Sequence, residues 1–224
     1  MALNFIPQAV LFDLDGTLLD TAPDFIRVVN QQRLRHNMST LEPDLIRATV
    51  SNGARALIKL AFDLDQDDKA FTDKHTELLA LYESSIADET VFFPGIDLFL
   101  KQLEEKSIPW GIVTNKPSRF TLPLLEKLNL DQRCSVTICP DDVENTKPHP
   151  EPLFLACEKL KCSPDKSLYV GDHERDIEAG RRAGMTTIAA RYGYIDTPER
   201  VDDWNADLII DHGNELSAWF EAIS

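Results

Sequence analysis

Short apolar runs alternate along the chain with longer stretches in which apolar positions recur every three or four residues. The short runs predict buried strands, and the longer stretches predict amphipathic helices. The predicted strands are residues 10–12, 110–114, 135–139, 167–170, 186–190 and 208–210. This alternation predicts an α/β fold with a doubly wound, Rossmann-like parallel sheet that has helices on both faces.

Residues 20–90 differ from the rest because their apolar positions follow helical spacing. They predict four helices, and no strand is predicted between residues 20 and 89. Pro94 and Gly95 then mark a turn, after which strands and helices alternate again. We therefore expect a catalytic core of residues 1–19 and 91–224, with a small all-helical cap domain of residues 20–90 inserted after the first strand.

Polar residues directly follow three of the predicted strands: Asp13 the first, Thr114 the second and Asp172 the fourth. In doubly wound sheets, ligands bind beyond the carboxyl ends of the strands, where the strand order reverses. We therefore expect these side chains to share one site.

The sequence D-L-D-G-T at residues 13–17 places two carboxylates at the end of an apolar strand. Charges are rarely buried without partners, so Asp13 and Asp15 predict a bound cation. Mg²⁺ suits oxygen ligands and is typically bound by one or two carboxylates plus phosphate. This predicts phosphoryl transfer, with Asp13 as the nucleophile and Asp15 as the general acid and base. For a lone pair of this kind, an acidic turn without catalytic function is the alternative.

Thr114, Asn115 and Lys147 are candidates to bind the phosphate. The Thr114 hydroxyl could donate to a phosphate oxygen, and the backbone of Asn115 could open the next helix and add amide donors. A helix cap is the alternative for Thr114. Lys147, in a proline-flanked loop, could direct its ammonium at the phosphate and at Asp13, although lysines are most often solvated.

Asp172 and Asp176 lie four residues apart where the fourth predicted strand meets a helix. Asp172 would complete the metal site with Asp13, and Asp176 would orient Asp172 or Lys147. The preference of acids for helix N-termini is the alternative, and it accounts for Asp176 better than for Asp172.

Together these motifs resemble those of the haloacid dehalogenase-like phosphatases, matched here by Asp13, Asp15, Thr114, Lys147, Asp172 and Asp176. The resemblance implies Mg²⁺ ligands at Asp13, the backbone carbonyl of Asp15, and Asp172. It also implies a small helical cap, to which residues 20–90 correspond. His173 departs from the pattern, because relatives often carry an acid there.

Within this family, the chain resembles the phosphoglycolate phosphatases and, more closely, the N-acetylmuramic acid 6-phosphate phosphatases of peptidoglycan recycling. The stretches that carry this likeness are residues 20–26, 52–57, 110–120, 138–153 and 191–195. Both implied substrates carry a carboxylate as well as a phosphate. Asn52, Gly53 and Arg55 in the cap are candidates to bind it, since arginine suits carboxylates. A solvated helix charge is the alternative for Arg55.

The composition of the chain limits the classes of partner that we expect it to bind. The 224 residues include 23 Lys and Arg against 38 Asp and Glu, a formal net charge of −15. Such a surface repels nucleic acid and anionic membranes. Residues 1–8 have neither the basic region nor the apolar core that a signal peptide needs, so we expect none there, and the four cysteines fit no common zinc pattern. We expect a cytoplasmic enzyme, monomeric or homodimeric, that acts on a small phosphorylated molecule.

Two other functions stay open. A sugar phosphomutase of the same fold would use the same two acids but return the phosphoryl group to the sugar. A phosphate-sensing or phospho-accepting binding protein is the non-enzymatic alternative. Asp15 argues against it, because an acid two residues beyond a phosphorylated carboxylate promotes hydrolysis.

Overall fold

The computed structural model of the chain describes residues 5–195 and 197–223. Its strands are β1 (Ala9–Phe12), β2 (Leu19–Asp20), β3 (Val91–Phe92), β4 (Trp110–Val113), β5 (Val136–Ile138), β6 (Ser167–Gly171), β7 (Thr186–Ala190) and β8 (Leu208–Ile210). Its α-helices are α1 (Ala22–Arg35), α2 (Pro43–Thr49), α3 (Gly53–Phe62), α4 (Phe71–Glu83), α5 (Ile96–Glu105), α6 (Ser118–Lys127), α7 (Glu151–Leu160), α8 (Glu174–Ala183) and α9 (Asn214–Ile223). Within the described residues, none of these helices has the length and apolar character needed to cross a bilayer.

Six strands form one sheet in the order β5-β4-β1-β6-β7-β8, and every neighbouring pair is parallel. The chain thus begins in the middle of the sheet and builds outward first on one side and then on the other. The strand order reverses beside β1, so the carboxyl ends of β1, β4 and β6 meet where open α/β sheets bind ligands. The predicted α/β fold is confirmed, and each predicted strand ends within one residue of its observed bounds.

The central strands are apolar because both of their faces are covered. All residues of β1, β4 and β6 are buried, which is typical of parallel strands packed between helices. Phe12 in β1 packs edge-to-face against Phe99 in α5, with ring centroids 6.2 Å apart. A rigid central strand of this kind fixes the position of the residue that follows it, Asp13.

Helices α1 to α4 lie between β2 and β3, as the helical spacing of residues 20–90 predicts. Their apolar faces pack on one another, and Phe25 in α1 stacks on Tyr82 in α4 at 4.3 Å. The expectation of no strand between residues 20 and 89 is wrong at one residue, because Asp20 in β2 pairs with Val91 in β3. A strand of two residues is too short to leave a periodic pattern. The division of the chain into two domains stays a prediction, and the word cap denotes below only the helical segment of residues 20–90.

The start of the helical segment is tied to the core by Asp20. Its carboxylate accepts two hydrogen bonds from Arg47 in α2, at 3.0 and 2.9 Å, and one from the Tyr194 hydroxyl at 2.7 Å. The Arg47 guanidinium also lies 5.0 Å from the centroid of the Tyr194 ring. These contacts fix the cap beside the loop that follows β7, and that loop borders the site.

Candidate active site

Asp13 directly follows β1 and lies beside Lys147, which is distant in the chain. Lys147 Nζ is 2.9 Å from Asp13 Oδ1 and 2.7 Å from Asp176 Oδ1. It also donates to the carbonyl oxygen of Val113 at 2.9 Å, and only 1% of its side chain is exposed. A buried ammonium is stable only with such partners. Lys147 is therefore fixed between two carboxylates, and the alternative of a solvated surface lysine is wrong.

Asp176 serves both this lysine and the start of α8. Its Oδ2 accepts a hydrogen bond from the backbone N–H of His173 at 3.1 Å, while its Oδ1 pairs with Lys147. The His173 side chain in turn accepts from the backbone N–H of Arg175, which completes a capping box. Both predictions for Asp176 therefore describe real contacts: it caps a helix and it holds Lys147.

Asp172 follows β6 and is enclosed by backbone and hydroxyl groups. Its carboxylate accepts from the hydroxyls of Thr17 and Ser51 and from the backbone N–H of Tyr194, each at 2.9 Å. A Cβ on Gly16 would collide with this carboxylate, and the φ of +84° at Gly16 also favours glycine. Ser51 belongs to the helical segment, so the cap touches Asp172 directly.

Burial dominates the electrostatics of the two strand-end acids. It raises the pKa of Asp13 to about 6, although the Lys147 ammonium opposes the shift. It raises the pKa of Asp172 to about 7, and the charges of Asp13 and Asp176 add to the effect. A cation between these acids would favour their ionised forms.

The acids are close enough to share such a cation. Carboxylate oxygens of Asp13, Asp172 and Asp176 lie within 4.8 Å of one another. A donor set made only of oxygen fits a hard divalent ion such as Mg²⁺. The two oxygens of Asp176 face Lys147 and the backbone N–H of His173. The contacts of Asp13 with Lys147 and with the Leu14 N–H both fall on Oδ1, which leaves Oδ2 for a cation, and Asp172 pairs with hydroxyl and amide donors instead of an ammonium. Asp13 and Asp172 are therefore the better candidate ligands.

Asp15 has a separate set of partners. Its Oδ1 accepts from the Thr21 hydroxyl at 2.5 Å and from Lys116 Nζ at 2.9 Å. Lys116 is absent from the residues that the sequence predicts for the site. Its only sequence signal is its place two residues after Thr114, and a lysine after a strand is usually solvated.

Thr114 and Asn115 shape the turn after β4. The Thr114 hydroxyl accepts from the backbone N–H of Lys116 at 3.1 Å. The Asn115 side chain donates to the carbonyl of Lys147 at 3.0 Å and accepts from its N–H at 3.2 Å. The expectation that Asn115 opens the next helix is wrong, because α6 begins at Ser118. Asn115 instead holds the loop that carries Lys147.

A cleft of about 570 Å³ joins the core residues to the cap. The predicted residues that line it are Asp13, Asp15, Asn52, Gly53, Arg55, Thr114, Asn115 and Lys147. Asp172 lines a smaller pocket of about 180 Å³ that shares Asn52 and His173 with the cleft. The predicted core and cap residues thus line these two adjoining pockets. Asp176 lines neither pocket and contacts the site through its ion pair with Lys147.

The cap contributes Arg55 and His75 to the lining of the cleft. Arg55 is exposed and donates to Gln66 at 3.2 Å. His75 stacks on Phe71 with centroids 5.7 Å apart, and burial lowers the pKa of His75, with the charge of Arg55 adding to the effect. Sequence reasoning missed His75, because an isolated histidine on a helix carries no motif.

Known proteins resemble this chain over nearly its whole length. The family model described as haloacid dehalogenase-like hydrolase matches residues 10–190. An N-acetylmuramic acid 6-phosphate phosphatase from Pseudomonas putida is 44% identical over 209 residues, covering 93% of this chain and 94% of that protein. A phosphoglycolate phosphatase from Xanthomonas campestris is 38% identical over 216 residues, covering 95% and 97%. A crystal structure from Haemophilus somnus, described as a predicted phosphoglycolate phosphatase, has a TM-score of 0.82 at 26% identity and covers 94% of this chain and 96% of that one.

Proposed function

The chain belongs to the haloacid dehalogenase-like hydrolase family and is a phosphatase of that family, and from this premise we propose that it hydrolyses N-acetylmuramic acid 6-phosphate with Mg²⁺. The observation that carries the proposal is the cleft, whose lining includes Asp13 and Lys147 from the core and Arg55 from the cap. Its volume lies within the range of about 300–1,000 Å³ that encloses drug-sized ligands. A sugar with lactyl and acetamido groups would occupy more of such a cleft than a two-carbon acid would.

In the proposed reaction, an Asp13 oxygen attacks phosphorus and the bond to the sugar oxygen breaks. Asp15, in its protonated form, gives its proton to the departing oxygen. Asp15 then takes a proton from the water that attacks the aspartyl-phosphate, which releases phosphate and restores Asp13. Lys147 offsets the repulsion between Asp13 and the incoming phosphate dianion. Thr114 and the turn after it would complete the phosphate pocket.

Asp13, Asp172 and the backbone carbonyl of Asp15 would hold Mg²⁺. When bound, the ion supplies charge neutralisation for the phosphoryl group. The all-oxygen cluster and the raised pKa values of Asp13 and Asp172 support this assignment. Asp176 would keep Lys147 in place.

A first test uses pH and metal together. The pKa values of Asp13 and Asp172 lie above the ordinary 3.8 of an aspartate, at about 6 and about 7. Between 3.8 and about 7 the folded state holds protons that the unfolded chain has lost, so these groups make the metal-free protein less stable as pH rises. Mg²⁺ should therefore raise the melting temperature more at about pH 8 than at about pH 5, where protons compete for the ligands.

Asp172→Asn is the matched control for that measurement. With a chelator present, its melting temperature should fall less steeply with pH than that of the wild type, because one of the two groups is gone. It should also show a smaller stabilisation by Mg²⁺. The same Mg²⁺ shift in both proteins would contradict the assignment of Asp172 as a ligand.

A second test addresses the cap end of the cleft. Arg55→Ala should raise KM about tenfold for N-acetylmuramic acid 6-phosphate, because a charge-assisted hydrogen bond to the lactyl carboxylate is lost. N-acetylglucosamine 6-phosphate lacks only the lactyl group, so its KM should not change. Arg35→Ala, which removes an exposed arginine of the same cap that pairs with Glu77, is the control. Equal changes for both sugars would remove this role from Arg55.

2-Phosphoglycolate is the second candidate substrate, because relatives at 38% identity are phosphoglycolate phosphatases. Phosphate release from the two compounds, compared as kcat/KM in the presence of Mg²⁺, decides between them. A higher value for 2-phosphoglycolate would overturn the proposed substrate. Isomerised sugar phosphate without free phosphate would instead indicate a mutase. A function in peptidoglycan recycling, a cytoplasmic location and a monomeric or homodimeric state stay predictions.

A further inference from the structure

Lys116 lies where the turn after β4 meets the cap, and it contacts both. Its Nζ is 2.9 Å from Asp15 Oδ1. The same atom is 4.6 Å from the ring centroid of Tyr82 and 5.1 Å from that of Phe25. We propose that Lys116 is a positioning residue, which orients Asp15 for proton transfer with the help of the two cap rings. The proposal rests on the acid–base role given to Asp15 above.

The hydrogen bonds of Asp15 determine which of its oxygens carries the proton. Lys116 and the Thr21 hydroxyl both donate to Oδ1. Among the described residues, none donates a hydrogen bond to Oδ2. A carboxyl oxygen that faces two donors cannot itself present a proton to them. When Asp15 is protonated, the proton therefore sits on Oδ2 and is available to a leaving group in the cleft.

The ion pair between Lys116 and Asp15 is stronger than one on the surface. Lys116 Nζ lies 2.9 Å from Asp15 Oδ1, which gives the buried ammonium the opposite charge that offsets its loss of solvation. Exposed ion pairs of this kind contribute little because water screens them. Here only 7% of the Lys116 side chain and 16% of the Asp15 side chain are exposed. Low exposure makes this ion pair stronger than a surface pair.

Two aromatic rings shield the ion pair of Lys116 and Asp15 from solvent. Phe25 and Tyr82 belong to the cap helices α1 and α4 and stack on each other at 4.3 Å. Both lie within cation–π distance of the Lys116 ammonium, an arrangement that gains strength when the cation is desolvated. The cap thus supplies part of the environment that orients a residue of the core.

Lys116→Met tests the proposal through the leaving group. Expulsion of a sugar alkoxide needs a proton from Asp15, whereas p-nitrophenolate leaves readily without one. Misplacing Asp15 should therefore lower kcat/KM for the sugar phosphate by roughly 10–100-fold and that for p-nitrophenyl phosphate by less than about threefold. Lys116→Arg, which keeps the charge, should restore part of the loss.

The outcomes separate this role from others. Equal losses for both substrates would indicate a structural role, and a rise in KM alone would indicate substrate binding; either result overturns the proposal. Asp15→Asn is the reference. If it shows the leaving-group dependence and Lys116→Met does not, only this inference fails; if neither shows it, the acid–base role of Asp15 fails as well. Lys101→Met, at an exposed lysine paired with Asp97, is the control for loss of a surface charge.

If Lys116→Met does not fold, two substitutions of Tyr82 test whether Lys116 and the cap rings orient Asp15. Tyr82→Phe keeps an aromatic face over the ammonium, and Tyr82→Leu removes it. Tyr82→Leu should shift the ratio of the two kcat/KM values in the same direction as Lys116→Met, and by more than Tyr82→Phe does. The same ratio in the two Tyr82 variants would overturn the part given to the cap rings.

Discussion

Asp13→Asn is expected to lower the rate of phosphate release by at least about 10⁴-fold, the largest effect of any single substitution predicted for this chain. An amide cannot form the acyl phosphate, although it fills the same space as the carboxylate. The measurement is phosphate release at saturating substrate with Mg²⁺. Rapid acid quenching followed by mass spectrometry should find phosphate on the peptide that contains Asp13 in the wild type and not in the variant.

The stability of this variant separates lost chemistry from lost folding. Burial raises the pKa of Asp13, so its ionised form is disfavoured in the metal-free fold, and a neutral amide removes that cost. The melting temperature in chelator should therefore not fall. Asp131→Asn, at an exposed position, is the matched control and should keep full activity. Substantial phosphate release by Asp13→Asn, or covalent phosphate on another residue, would contradict Asp13 as the nucleophile.

Much of this site could be predicted because its residues follow strands. An apolar run marks a buried strand, and the topology of a parallel sheet brings strand ends to one edge. This rule alone places Asp13 and Asp172 together, and the structure puts their carboxylate oxygens within 4.8 Å of each other. The positions of Asp13 and Asp172 could be predicted without knowing how any loop folds.

Contacts made by loops could not be predicted in the same way. The sequence predicts that Asn115 begins a helix, yet its side chain forms hydrogen bonds with the backbone of Lys147. Lys116 was missed because its surroundings come from Phe25, Tyr82 and Asp15, which are far apart in the chain. A local pattern shows the lysine but not the rings that bury it.

The contacts between the cap and the core could not be predicted either. Helical spacing predicts its helices, but not the contact of Ser51 with Asp172 or of Arg175 with the Ser51 carbonyl at 2.9 Å. These contacts depend on how the helical segment packs against the sheet. They place the cap residues beside the cluster of Asp13, Asp172 and Asp176, so a change in the cap is expected to affect the chemistry as well as substrate choice.

Asp15→Asn should lower kcat/KM for N-acetylmuramic acid 6-phosphate by roughly 10²–10⁴-fold, the usual contribution of a general acid. The asparagine can keep its carbonyl oxygen facing Thr21 and Lys116, which donate to Oδ1 in the wild type. Its amide then occupies the place of Oδ2 and has no proton to give at neutral pH. The loss is therefore chemical, because the hydrogen bonds that hold this residue are preserved.

With p-nitrophenyl phosphate, the same variant should behave differently. Phosphorylation of Asp13 needs no acid there, so kcat/KM should stay near the wild-type value. Hydrolysis of the aspartyl-phosphate still needs a base, so a burst of nitrophenolate should precede slow turnover, and covalent phosphate should accumulate on Asp13. A loss of equal size for both substrates, without a burst, would mean that Asp15 neither gives nor takes the proton. Because the burst and the leaving-group dependence report on different steps, together they test both halves of the role proposed for Asp15.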